Sequence, residues 1–283
     1  MSLIGTLTSG VSALRTFSKG LEVIGNNIAN INTTGYKSSQ ASFSDSFSNT
    51  LRGSAPSSGT TSSQSAVQVG TGVTLAGIQT NFTQGALNST GNITDLGISG
   101  KGFFIVQDAG TGAQFATRDG QFRIDDNGYL VTTGGLRLQG MVGAAIADLQ
   151  VGGSIPVGAQ LQSISFDQAG NLIESYSDGT SATTGQIQLQ NFSDTSALMR
   201  EGSNLFSGLG AAGPIGGGIL AGSNDPNSNG LGSIQSGTLE SSNVDLTDQF
   251  SQLITTQRSF QAGSRLITVS DSVLEDIVNL KRS

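Results

Sequence analysis

The chain has 283 residues, of which 41 are Gly and none is Cys, His or Trp; charged residues make up 12% and the formal net charge is -7. Without Cys and His there is no disulfide framework, thiol nucleophile, imidazole base or thiolate- or imidazole-bound zinc, which leaves carboxylate, Lys, Tyr or Ser–Lys chemistry. An acidic balance with 13 scattered basic residues also argues against a nucleic-acid footprint.

No run of about 18 apolar residues marks a membrane span, so no membrane insertion is expected. Residues 1–31 interleave apolar and polar side chains, unlike the continuous apolar core of a secretory leader. Within them Leu3, Leu7, Gly10, Leu14, Phe17, Leu21, Ile24, Ile28 and Ile31 recur at alternating steps of four and three. That is the seam of a coiled-coil helix, about 43 Å long. Gly5, Gly10, Gly20 and Gly25 share the segment, each costing roughly 1 kcal/mol inside a helix. Such a helix is expected to order only when its stripe is covered.

Residues 38–72 are rich in Ser, Gly, Thr and Gln, with Phe43, Phe47 and Leu51 as isolated apolar points, and read either as a linker or as an extended segment that orders on a neighbour. From Val69 to Leu239 short apolar runs are cut by Gly, Asn and Asp. Phe103-Phe104-Ile105-Val106 predicts a buried strand. Hairpins are predicted around the turns Asp125–Gly128 and Asp167–Gly170, and Ile187 and Leu189 alternate with Gln in a further strand. Asn243 or Asp245 can cap a final helix in which Leu246, Phe250, Leu253, Phe260, Ile267, Leu274 and Ile277 keep a helical period. Gln257 and Ser264 interrupt that stripe, and Lys281 and Arg282 occupy the last turn, where the helix dipole favours cations. The predicted fold is α+β: a mainly β outer domain with a coiled-coil-like pair of long N- and C-terminal helices. The expected division is 1–34 with 243–283 as the helical domain, 35–72 as a connecting segment and 73–242 as the β-rich domain.

Gly100-Lys101-Gly102 precedes its strand, the wrong order for a nucleotide loop. Asp125-Asp126-Asn127-Gly128 lacks the spacing and closing Glu of a calcium loop and reads as a tight turn. No paired carboxylates sit in a recognisable catalytic motif, so no enzymatic activity, cofactor or metal is expected.

The run Asn26-Asn27-Ile28-Ala29-Asn30-Ile31-Asn32-Thr33-Thr34-Gly35-Tyr36-Lys37 resembles the N-terminal signature of the bacterial flagellar axial proteins. The likeness continues through Val69-Gly70-Thr71-Gly72-Val73, Gln84-Gly85-Ala86-Leu87, Thr117-Arg118-Asp119-Gly120-Gln121-Phe122, Ser242-Asn243-Val244-Asp245-Leu246 and Gln257-Arg258-Ser259-Phe260-Gln261-Ala262, in the family's order from end to end. The chain ends look most like a hook protein. The interval between Gly140 and Gly185 is short, with residues 146–184 as a remnant where hook subunits usually carry an extra outer domain, so a distal-rod subunit is the alternative. A secreted β-rich adhesin is a remote one. The resemblance implies a self-assembling helical tube that transmits motor torque, located in the extracellular hook or the basal-body rod. Its implied partners are copies of itself, adjoining distal-rod and hook–filament junction proteins, a hook cap during assembly and the flagellar type III export apparatus. It singles out Asn26, Asn27, Ala29, Asn30, Thr34, Gly35, Tyr36 and Lys37 as the family motif and the two helical stripes as the subunit-packing seam.

Overall fold

The computed structural model describes residues 3–54, 56, 62–143, 145–153, 159–220 and 224–282; the side chains of residues 3, 4, 281 and 282 lie outside that description. Two long helices and twenty strands are found among the described residues. They divide into two units, one made of 1–29, 39–81 and 245–283, the other of 30–38 and 82–244. These boundaries differ from those read off the sequence for two reasons. The Ser/Gly-rich stretch builds strands on the first helix, and the end of the Asn/Thr/Gly motif belongs with the β unit.

In the first unit, α1 (Leu3–Ala29) and α2 (Leu246–Arg282) pack together. Asp245 caps α2, its Oδ1 accepting from the Thr247 and Asp248 amides at 2.8 and 3.3 Å. Strands β1 (Ser39–Asp45), β2 (Ser48–Arg52), β3 (Val67–Gly70) and β4 (Val73–Thr80) form one long antiparallel ribbon, β1 on β4 and β2 on β3. Backbone bonds Ser46 N to Gly72 O and Thr71 N to Phe47 O, both 2.8 Å, join the two pairs. A two-stranded ribbon is marginal alone. This one rests on α1: the Phe43 ring meets Phe17 edge-on at 5.7 Å, and Thr16 Oγ1 donates to Val73 O at 3.2 Å.

The second unit contains β5 (Leu87–Ser89), β6 (Leu96–Ser99), β7 (Phe103–Gln107), β8 (Gln114–Thr117), β9 (Phe122–Ile124), β10 (Leu130–Thr132), β11 (Arg137–Val142) and β12 (Ala145–Asp148). It continues with β13 (Leu161–Phe166), β14 (Asn171–Tyr176), β15 (Ser181–Ile187), β16 (Leu189–Gln190), β17 (Met199–Gly202), β18 (Leu205–Ser207), β19 (Ser233–Ser236) and β20 (Thr238–Glu240). The main sheet runs β13-β14-β15-β11-β7-β8-β18-β17, antiparallel throughout. Strand β7 divides two cores by its period of two. Phe104 and Val106 face Leu130, Leu138, Leu172 and Ile187, while Phe103 and Ile105 face Phe192, Phe206 and Leu220.

Both expected hairpins form. In the first, Gly128 N bonds Asp125 O at 2.8 Å and β9 pairs with β10; in the second, Gly170 N bonds Asp167 O at 2.9 Å and β13 pairs with β14. The strand at Ile187 to Gln190 is not half-polar as its alternation suggests: Gln188 and Gln190 are fully buried, Gln188 donating to Asp225 Oδ1 and Gln190 to Ile215 O. Strands β12 to β15 are part of the main sheet, β12 and β15 each pairing with β11 and β14 lying between β13 and β15.

Candidate assembly surface and buried junction

Within the first unit the helix pair is held by small and polar residues as much as by apolar ones. A Cβ at Gly10 would lie 3.0 Å from Ile267 Cγ1 and 3.6 Å from Gly263 O, and one at Gly263 would touch Leu14 and Ala13. The two helices therefore approach closely because each is bare at the crossing. Asn27, 1% exposed, donates from Nδ2 to Ser39 O at 2.7 Å and to Gln249 Oε1 at 2.9 Å, and accepts from Ser39 N at 2.9 Å. One amide thus fixes the first strand and the second helix to the first helix.

On α2 the side turned inward carries Gln249, Leu253, Thr256, Phe260, Gly263, Ile267 and Ser270, again at steps of four and three. Of these, Gln249, Gly263 and Ser270 are buried, whereas Leu253, Phe260 and Ile267 are half-buried. Among the expected seam residues, Ile24 is buried and Leu7, Leu14, Phe17, Leu21, Ile28 and Ile31 are half-buried; the Leu3 side chain lies outside the described residues. Leu246, Phe250, Leu274 and Ile277 are exposed. Of the seven expected α2 positions, the register that meets α1 therefore includes three, Leu253, Phe260 and Ile267. Its other members are polar or small and escape a search for apolar side chains.

The second unit contains a buried ionic junction. Glu240 and Lys37 have no exposed side-chain surface, and their Oε1 and Nζ are 2.6 Å apart; Arg118 Nη1 reaches Glu240 Oε2 at 3.2 Å. Glu240 Oε1 also accepts from Gly85 N at 2.8 Å, and its backbone O accepts from Gly35 N at 2.7 Å. Lys37 Nζ donates in addition to Thr83 O, and Arg118 Nη2 to Gly100 O, each at 2.9 Å. With two cations around one carboxylate, burial pushes the Lys37 ammonium below its usual value; Glu240 opposes that shift and Arg118 adds to it. Burial also lowers Arg118, whose Nε is buried with no partner among the described residues. Asn243 Oδ1 accepts from Ser38 N at 2.7 Å while its Nδ2 donates to Thr83 O. The junction therefore ties together positions remote in sequence, 35–38, 83–85, Gly100, Arg118 and 240–243.

Around it the Asn/Thr/Gly motif finds its partners. Gly35 has φ +66, and a Cβ there would meet Asp119 N at 2.7 Å, so both the left-handed backbone and the close approach require glycine. Thr34 Oγ1 donates to Asp119 Oδ1 at 3.0 Å, and Asn204 Nδ2 donates to Thr34 O at 2.7 Å. Burial raises the Asp119 carboxyl above its usual value, partly offset by bonds from the Gln121 amide and Thr34. The Arg200 guanidinium lies 4.8 Å from the centre of the buried Tyr36 ring and donates to Lys37 O. Asn30 Oδ1 accepts from Thr33 Oγ1, while Asn26 and Ala29 are exposed.

Three family models match the chain: a flagella basal body rod protein model over residues 7–37, the D1 domain of the flagellar hook protein FlgE/F/G over 97–173, and the C-terminal region of the flagellar basal body rod FlgEFG proteins over 235–280. The chain is 38% identical to the flagellar basal-body rod protein FlgG of Bacillus subtilis, over 99% of this chain and 100% of that one. The chain belongs to the flagellar axial protein family. A second rod relative, FlgG of Borreliella burgdorferi, is 33% identical across 100% of this chain and 99% of its own length. The flagellar hook protein FlgE of Helicobacter mustelae is 45% identical over 139 residues, 49% of this chain and 31% of the hook protein.

As a flagellar axial protein the chain is a component of the hook or basal-body rod. Among the described residues no group of three or more acidic side chains is placed to hold a metal ion, and no helix is long and apolar enough to cross a membrane. Glu240 and Gln249 carry much of the arrangement and were not singled out from sequence. Glu240 lies among Ser and Asn with no periodic signal, 203 residues from Lys37. A hint existed in the neighbouring block 242–246, which the family likeness already includes.

Proposed function

We propose that the chain is a distal-rod subunit of the bacterial flagellum, a structural, non-enzymatic protein whose copies build a straight shaft and transmit motor torque. Coverage carries this reading over the hook: the rod relative matches from end to end, whereas the hook relative matches half of this chain and less than a third of itself. The short interval between Gly140 and Gly185 supports it, since its described residues form strands that extend the main sheet, β12 on β11 and β13 and β14 beside β15. The hook expectation drawn from the chain ends therefore gives way to its alternative.

In this reading the partners are copies of the chain and the axial subunits above and below it, reached after export in an unfolded state through the type III apparatus. Within each copy Thr6, Gly10 and Leu14 meet Ser270, Ile267 and Gly263, and the exposed Leu246, Phe250, Leu274 and Ile277 are left for neighbouring copies. Covering those side chains stabilises the assembly by about 25 cal/mol per Å² of apolar surface removed from water.

The test is complementation. Expressed in a bacterium lacking its distal-rod gene, the chain is expected to restore swimming and straight shafts in electron micrographs. Rescue of a hook deletion instead, with curved tubes, would return the protein to the hook.

A further inference from the structure

Helix α2 carries a second apolar stripe that its own α1 does not cover. Leu266, Val269, Val273, Ile277 and Leu280 are 55%, 61%, 40%, 48% and 76% exposed and follow one another at steps of three and four. At 3.6 residues per turn this stripe lies roughly 100° around the helix from the Gly263–Ile267–Ser270 side that meets α1. A carboxylate, Asp276, flanks it, exposed and without a hydrogen bond or ion pair to any described side chain.

The complementary feature lies elsewhere on the same unit. A groove of about 540 Å³ runs between α1 and β4, with Leu7, Val11, Val73 and Leu75 as its apolar walls and Arg15 at its edge. It is on the far side of α1 from Thr6, Gly10 and Leu14, the residues that face α2, so an occupant need not displace the helix pair. Its floor is already set, because Ser12 Oγ accepts from Val73 N and Thr16 Oγ1 donates to Val73 O. Arg15 is exposed and makes no ion pair among the described residues, whereas Lys19 on the same helix is paired with Glu22 at 2.8 Å.

We propose that the α2 stripe of one copy docks in the α1–β4 groove of a second copy, with Asp276 meeting Arg15 across the contact. This rests on the reading of the chain as a self-assembling axial subunit and names which surfaces join. An apolar ridge with one flanking anion fits an apolar groove with one flanking cation. Because ridge and groove are different patches of the same molecule, the contact is head-to-tail, and repeating it without closure generates an open helical polymer rather than a dimer. A charge pair at the edge of an apolar contact sets register and rejects mismatched pairings.

The experiment is a charge swap read by sedimentation of assembled polymer. Arg15→Glu and Asp276→Lys are each expected to raise the critical concentration for assembly about tenfold or more, because like charges then face each other. The double variant, with the pair reversed, is expected to return to within about threefold of the parent. Single variants that assemble like the parent, or a double variant no better than either single, would overturn the docking while leaving self-assembly intact. A parent chain that forms no polymer at any concentration sinks the rod reading and this inference with it. The absence of Cys provides an independent check: Val11→Cys and Val273→Cys together on one chain should give an oxidised ladder of oligomers. A monomer band alone under assembling conditions rules the contact out.

Discussion

At the scale of single residues, the decisive group is the carboxylate of Glu240. A buried charge is tolerated only when paired and hydrogen-bonded, and here one carboxylate answers two cations and the Gly85 amide, while the Gly35 amide bonds the backbone carbonyl of the same residue. Lys37→Met is expected to destabilise the β unit by about 3 kcal/mol, because it leaves Glu240 with a single cationic partner in a site closed to water; urea unfolding followed by tyrosine fluorescence measures it. Glu240→Gln should cost at least as much, since it strands two cations. Asp119 behaves differently. Its folded-state pKa is raised above 3.8 by burial, so the folded protein binds the proton more tightly than the unfolded chain. That contribution to stability is present below pH 3.8 and is lost as pH rises through the raised value. Asp119→Asn should remove this negative slope in unfolding midpoints measured across mildly acidic pH, and an unchanged slope would count against Asp119 as its source. Lys37 was legible in the sequence as part of a specific run of residues. Glu240 and Arg118 were not legible as its partners, because an ion pair between remote segments leaves no local periodicity; only the fold brings residues 37, 118 and 240 together.

At the scale of elements, the four glycines of α1 separate into two kinds that propensity alone cannot tell apart. Gly5 and Gly25 have open space where a Cβ would go, while Gly10 and Gly20 are pressed by Ile267 and by Phe43, each at 3.0 Å. Gly25→Ala is therefore expected to stabilise α1 by up to about 1 kcal/mol. Gly10→Val should instead force the helices apart and lower the thermal midpoint of the helical circular dichroism signal, despite removing a glycine. The reading of all four as helix-weakening holds physically for each, but at two positions the cost is offset by close packing. The second helix shows the complementary limit. Its apolar period was visible, yet the side that meets α1 alternates Leu253, Phe260 and Ile267 with Gln249, Thr256, Gly263 and Ser270. Small and polar residues at such a contact do not register as hydrophobic. The four strands β1 to β4 were hidden for a similar reason, since main-chain hydrogen bonds build the ribbon and the polar side chains of Ser12, Thr16 and Asn27 with one aromatic contact hold it to α1.

At the scale of the whole molecule, each unit is assembled from segments far apart in the chain. Asn27 meets Gln249 across 222 positions, and Lys37 meets Glu240 across 203. Contacts of such separation form late, after the entropy of closing a long loop has been met. Until the last helix is present the first has only the ribbon to fold against, which suits the unfolded export put forward under the proposed function. The division between units also sharpens a truncation experiment. Because the β unit includes residues 30–38 as well as 82–244, a fragment spanning 30–244 keeps Gly35, Lys37 and the whole ionic junction although it lacks both helices. It is expected to be monomeric and to unfold cooperatively with a β-type circular dichroism spectrum. A fragment beginning at residue 82 loses the Lys37 ammonium and the Gly35 amide from Glu240, and should unfold about 3 kcal/mol more easily in urea. Equal stability of the two fragments would mean that the motif's end does not hold the β unit together. Loss of the β signal in the longer fragment would mean instead that the two units fold as one.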